Sequence, residues 1–167
     1  MDPSLPIEDL SAKLNIFYGA YVRSINFFGL SSKVDIVLPY GTGDWNYAIE
    51  GENLYDYANG FGDMRIRFSF NFFGSPALKA TAYQKYKQKS IVGYSLQVVI
   101  PTGDYNSDQL PNLGSNRWAF KNQFGISQKL NNWLLEGYVT LWLFTANNDF
   151  LSGNKLSQDP LLTVKAH

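Results

Sequence analysis

The stretch Gly62–Phe73 reads G-D-M-R-I-R-F-S-F-N-F-F. Asp63, Arg65, Arg67, Ser69 and Asn71 take the odd positions, and Met64, Ile66, Phe68, Phe70 and Phe72 the even ones. Successive side chains of a β-strand point to opposite faces, so a strand here is apolar on one side and charged on the other. A soluble sandwich hides such an apolar face in a core. A membrane barrel turns it to lipid and keeps the charged face for an aqueous interior.

The same period of two recurs along the chain. Lys13–Phe27 sets Leu14, Ile16, Tyr18, Ala20 and Val22 against Asn15, Phe17, Gly19, Tyr21 and Arg23. Ser31–Tyr40 sets Val34, Ile36 and Leu38 against Lys33, Asp35 and Val37. Ser90–Pro101 places Val92, Tyr94, Leu96, Val98 and Ile100 opposite Gly93, Ser95 and Gln97. Asn116–Gln128 places Trp118, Phe120, Phe124 and Ile126 opposite Arg117, Ala119, Lys121, Gln123 and Gly125, with Asn122 breaking the apolar side. Trp133–Phe144 places Leu135, Gly137, Val139, Leu141 and Leu143 opposite Glu136, Tyr138, Thr140 and Trp142, and a further strand begins at Pro160.

Several of these strands exceed the usual globular length of about five or six residues, whereas a tilted membrane strand needs about 9–11 in the lipid alone. The connections alternate as well. Those at Phe28-Gly29 and Leu130-Asn131-Asn132 are short, while Gly41–Asn59, Thr102–Ser115 and Thr145–Asp159 are long. Outer-membrane barrels alternate short periplasmic turns with long outer loops in this way. Gly74–Lys89 falls on the short side but opens Ser75-Pro76, an N-cap followed by proline at a first helical position, which predicts a short helix near residues 75–88.

Composition agrees with strands and turns: 12 Phe, 11 Tyr, 4 Trp and 14 Gly, with 17% charged residues. No apolar run approaches the roughly 20 residues of a spanning helix. Fourteen basic and fourteen acidic residues cancel, so no global field favours nucleic acid, and the absence of cysteine excludes thiol chemistry. The fold class expected is all-β: one domain over residues 1–167, an antiparallel up-and-down transmembrane β-barrel, here a partial barrel of about six to seven long strands. If Phe28-Gly29 is periplasmic, an upward strand is expected before Lys13. Further strands are expected after His167. Met1–Pro6 lacks the basic start and apolar run of a signal peptide, so a targeting segment is expected outside this sequence.

On the polar faces Asp63, Arg65, Arg67, Gln97, Lys121, Glu136, Tyr138 and Trp142 are the candidates to line the lumen. Their charges would form either a selective constriction or a paired network filling a narrow barrel, and the second is favoured because small barrels pack their interiors. Met64, Ile66, Phe68, Phe70, Phe72, Leu96, Val98, Val139 and Leu141 are the candidates to face lipid. Tyr40, Trp45, Trp118 and Trp133 lie near strand ends, where interfacial aromatic girdles form. Tyr138 and Trp142, beside Glu136, would alternatively line a ligand path.

The acidic segment with Asp44, Glu50, Glu52 and Asp56 matches no EF-hand spacing and reads as a solvated loop rather than a calcium site. Pro101-Thr102-Gly103-Asp104 lacks the lysine of a phosphate-binding loop and reads as a strand ending in a Pro-Gly turn. The only histidine is the last residue, so no internal imidazole serves as base or metal ligand. A paired-carboxylate site of Asp63 and Glu136 is the remaining catalytic candidate, but Arg65 and Arg67 would keep both ionised, a poor state for a general acid. No enzyme activity, metal or cofactor is expected.

Five segments carry a resemblance: Gly60–Arg67 (GFGDMRIR), Val99–Tyr105 (VIPTGDY), Asn112–Phe120 (NLGSNRWAF), Leu135–Asp149 (LEGYVTLWLFTANND) and Gln158–Pro160 (QDP). In this order they resemble the bacterial outer-membrane family of the MetA pathway of phenol degradation, and the resemblance runs from about Asp9 onward. It implies a barrel in the outer membrane of a Gram-negative bacterium, surrounded by lipid and passing small apolar or aromatic molecules. The competing readings are a membrane barrel with a structural or enzymatic role and a soluble barrel binding an apolar ligand.

Overall fold

The computed structural model describes residues 7–49, 51–109, 112–151 and 153–167. The chain forms β1 (Ile7–Phe27), β2 (Leu30–Ile49), β3 (Glu52–Phe61), β4 (Met64–Phe73), a helical turn α1 (Ala80–Tyr83), β5 (Ser90–Ile100), β6 (Ala119–Leu130), β7 (Trp133–Phe144), β8 (Asn147–Phe150), β9 (Asn154–Leu156) and β10 (Leu161–Ala166). In the order β1-β2-β4-β5-β6-β7-β10, the strands pair antiparallel in one sheet that curls into a half-barrel. This is the all-β meander that the alternation predicts.

Hairpin chemistry explains the short connections. Phe28 and Gly29 both adopt positive φ, 50° and 80°, as a two-residue turn matched to strand twist requires. The Asn26 side chain accepts the Gly29 N–H at 2.7 Å. Asn131, at φ 53°, plays the left-handed part in the β6–β7 turn.

The largest departure from the sequence reading lies in residues 41–59, expected as a loop. β2 continues through them to Ile49, and β3 returns along it from Glu52↔Ile49 to Phe61↔Tyr40. The polar and glycine-rich composition that reads as loop is carried by pairing on both edges, to β1 on one side and β3 on the other. Tyrosines reinforce it across the strands: Tyr47 Oη donates to Asp56 and Tyr55 Oη to Asp44, each at 2.7 Å. β1 and β2 thus run about 65 Å at roughly 3.3 Å per residue, far beyond the lipid's need. Their far halves and β3 form a three-stranded wall standing above one end of the half-barrel.

β3 and β4 lie end to end along the same edge of β2. At their junction Gly62, Asp63 and Met64 stand opposite Leu38 and Pro39, between the pairs Tyr40↔Phe61 and Val37↔Arg65. This is a bulge, and the Gly62 N–H bonds the Pro39 carbonyl at 2.9 Å.

The helix also differs from expectation. Ser75 and Pro76 do not cap it. The Ser75 carbonyl accepts the Ser31 N–H at 2.9 Å and the Ala77 N–H donates to Gly29 at 2.8 Å, so this segment is held extended against the β1–β2 turn. The helical turn begins only after those backbone groups are spent.

Among the described residues the buried hydrophobic side chains are Trp45, Ala48 and Ala119 alone. The outward face of the sheet is apolar and bare: Trp133 is 75% exposed, Val164 71% and Phe124 56%. A contiguous apolar surface on that scale is foreign to a soluble monomer and is what lipid would cover.

Candidate functional site

Antiparallel register places residues directly opposite one another on the same face, so pairings chained from strand to strand trace rungs across the sheet. One rung runs Val22, Asp35, Arg67, Gln97, Lys121, Trp142, Leu161. The next toward the short turns is Ser24, Lys33, Ser69, Ser95, Gln123, Thr140, Thr163. This polar face is the concave one, where Lys33, Arg67, Ser95, Gln123 and Tyr138 border a cavity of about 560 Å³.

Four of the eight lumen candidates, Arg67, Gln97, Lys121 and Trp142, therefore share a rung. Arg65 sits one rung toward the long loops, between Val37 and Val99. Tyr138 lies toward the short turns, with its ring against Gly125, where a Cβ would meet ring carbons at 2.9 Å. Glu136 lies one step further on, opposite Ser127, its backbone paired to His167.

Asp35 is the member that sequence reading passed over. It is 4% exposed; Arg67 Nε donates to its Oδ2 at 2.7 Å, and Lys33 Nζ stands 3.4 Å from Oδ1. Its parity was legible, but a partner 32 positions away was not.

Asp63 does something other than line a passage. It accepts the Gly103 N–H at 3.0 Å, the Ser115 N–H at 2.8 Å and the Ser115 hydroxyl at 2.5 Å. Around it, Asp104 Oδ2 accepts the Phe61 N–H at 2.7 Å, and Thr102 Oγ1 accepts the Met64 N–H at 3.0 Å. Gly103 and Gly114 pack backbone to backbone; a Cβ on Gly103 would lie 2.7 Å from the Gly114 Cα. Leu113 reaches further, to within 3.1 Å of where a Cβ on Gly41 would stand. Asn147, 1% exposed, bonds Tyr105 Oη at 2.8 Å and the Asn116 side chain at 3.0 Å, and Arg117 Nη2 donates to Gln158 at 2.6 Å. The five segments that carry the resemblance are thus knitted together at the long-loop end. Asp63 and Glu136 are about 30 Å apart along the sheet by strand rise, which removes the paired-carboxylate site.

On the convex face lie the rungs Ile36, Ile66, Val98, Phe120, Leu143 and Val34, Phe68, Leu96, Asn122, Leu141, Leu162, then Ser32, Phe70, Tyr94, Phe124, Val139, Val164. Met64 pairs with Ile100 above them, and the Phe72 ring lies 6.0 Å from that of Phe70, tilted by 56°. The nine lipid candidates fall here together. Asn122 breaks the band, but its Oδ1 accepts the Tyr94 hydroxyl at 2.7 Å. Arg23, opposite Val34, shares this side at the β1 edge.

Tyr40 and Trp118 point outward at the long-loop end, with the Tyr40 and Phe61 rings 5.3 Å apart. Trp133 points outward at the other. Along β7 the two ends are separated by about 40 Å, or about 30 Å across a membrane at the usual barrel tilt. Trp45 lies instead on the concave side, 7% exposed, where it covers Gly43 beside Leu14. Of the acidic segment, Asp44 and Asp56 bond tyrosines, Glu50 lies outside the described residues, and no metal-ligating group of side chains occurs among the described residues.

The family model described as "Putative MetA-pathway of phenol degradation" matches residues 4–166. The chain belongs to this family. Its fold is similar to that of a solved outer membrane channel from Pseudomonas putida F1, with a TM-score of 0.65 at 21% identity, over 94% of this chain and 54% of the other. The chain thus spans about half the length of that channel. No curated protein matches significantly. Membership in the phenol-degradation family agrees with the resemblance carried by the five segments, and the channel's likeness agrees with the meander.

Proposed function

We propose that this chain is part of an outer-membrane channel that passes small molecules passively, apolar or aromatic solutes among them, across the envelope of a Gram-negative bacterium. The observation that carries the reading is the division of the curled sheet, from β4 to β7, into a charged and polar concave face and an apolar convex face, bounded at both ends by outward aromatics. Only the edge strand β1 departs from it, with Val22 inward and Arg23 outward. A soluble carrier has the opposite need, an apolar interior and a wetted exterior. Family membership and the likeness to a solved outer membrane channel support a transporter rather than an enzyme.

The test is conductance of the full-length protein in a planar lipid bilayer. Stepwise currents that persist with family-typical solutes present support the channel. A folded, membrane-inserted protein that carries no current and does not speed solute entry into liposomes would sink the reading in favour of a structural barrel.

A further inference from the structure

The concave face carries more positive than negative side chains, and they are unequally occupied. Lys33 and Arg67 are committed to Asp35. Among the described residues Arg117 and Lys121 have no carboxylate partner. Each lies instead on an aromatic ring of β7: Arg117 Cζ is 5.0 Å from the Phe144 centroid, and Lys121 Nζ is 5.6 Å from that of Trp142. The two rings stack parallel, 3° apart in plane and 6.0 Å between centroids. Ala119, opposite Phe144, is the small residue that separates the two cations on their strand.

One atom in this ladder lacks what its chemistry demands. Arg117 Nη1 is shielded from solvent and has no hydrogen-bond acceptor, although Nη2 is bound to Gln158. A buried guanidinium donor without a partner is costly, and a guanidinium is shaped to bind a carboxylate.

Resting on the channel reading above, we infer that the Arg117–Phe144 and Lys121–Trp142 pairs form a binding ladder for small aromatic monoanions, aromatic carboxylates being the class. On binding, Arg117 and Lys121 turn off the ring faces to meet the carboxylate, which uncovers the Arg117 donor now shielded from solvent. The flat body takes their place on the Phe144 and Trp142 rings. A neutral aromatic solute would use the rings and leave both charges unanswered. A small inorganic anion would use the charges and leave the rings idle. Rings of Lys and Arg are how anion pores select their ions.

The experiment has two readouts on the full-length protein. Binding of fluorobenzoate is followed by fluorine NMR on detergent-solubilised protein, and chloride current in bilayers is titrated with benzoate, acetate and benzyl alcohol. Expected are benzoate affinity and half-block at least about tenfold tighter than for acetate or benzyl alcohol, lost by at least about tenfold in R117Q and K121Q. Equal effects of acetate and benzoate overturn the aromatic part. Equal effects of benzyl alcohol and benzoate, or binding unchanged in both variants, overturn the ladder. Binding as expected with no current at all would leave the ladder standing and remove the channel.

Discussion

Asp63 holds Ser115, 52 positions further along the chain, by both its backbone amide and its hydroxyl. With the Gly103 N–H as third donor, this carboxylate fastens the β5–β6 loop to the junction of β3 and β4. Asp63→Asn presents an amide where three donors converge. It should cost about 2–3 kcal/mol of local stability and open the loop to limited proteolysis near residues 101–118. Unchanged cleavage kinetics would refute the tether.

Gly103→Ala tests the same lock sterically. The added methyl meets backbone on two sides, at 2.7 Å from Gly114 Cα and 2.8 Å from the Asp63 nitrogen, and backbone cannot swing aside as a side chain can. The loop should loosen at least as much as in Asp63→Asn. Wild-type protection in the alanine variant would mean that the glycines do not touch.

Arg67→Gln should destabilise the folded barrel by about 1.5–3 kcal/mol in urea titrations, because it removes the charge-assisted hydrogen bond to the buried Asp35 and leaves it the Lys33 ammonium at 3.4 Å. The double variant Asp35→Asn with Arg67→Gln should recover most of that loss. If the double variant is as unstable as the single one, the pair is not what holds the rung.

Tyr94→Phe and Asn122→Leu should each cost about 0.6–1.7 kcal/mol in lipid, because each leaves the other partner's polar group unanswered on the convex face. The double variant replaces both groups with apolar ones beside Leu96 and Leu141 and should recover most of the loss. Losses that simply add in the double variant would mean that the two side chains do not bond.

The projecting hairpin has a pH dependence of known sign. The hydrogen bond that Tyr47 donates to Asp56, reinforced by partial burial and the carboxylate's charge, raises its pKa above the ordinary 10.0. A group whose folded pKa is raised contributes stability in full below the unfolded value, and that contribution is lost as pH climbs through the folded value. The wall should therefore hold to pH 10.0 and weaken above it. Asp44 raises the Tyr55 pKa in the same way, so tyrosinate absorbance should show a late-titrating component that shrinks in Tyr47→Phe and again when Tyr55→Phe is added.

Much of the architecture is legible because lipid and water impose a period of two. From Met64 to Phe72 each even residue does fall on the convex side, and Arg65 and Arg67 on the other. What periodicity cannot give is partnership. Asp63 and Arg67 have the same parity, yet one is consumed by loop amides and the other by Asp35. Trp45 looks like any strand-end tryptophan until the register turns it inward over Gly43. Residues 41–59 look like a loop because their strand character is lent by partners, β1 and β3 for 41–49 and β2 for 52–59, and Ser75-Pro76 looks like a cap because its bonds to the first turn are non-local.

The bulge at Gly62–Met64 sets β3 and β4 out of phase by one along the single template of β2: Asp56 shares a side with Trp45, and Arg67 with Asp35. Losing one of the three residues there would leave two opposite two, a plain ladder with every side chain of both strands still on its present side. The surplus residue is therefore not needed to keep wet and greasy sides sorted. What it supplies is slack: a link left out of the zip, from which the Asp63 clasp can reach the loop.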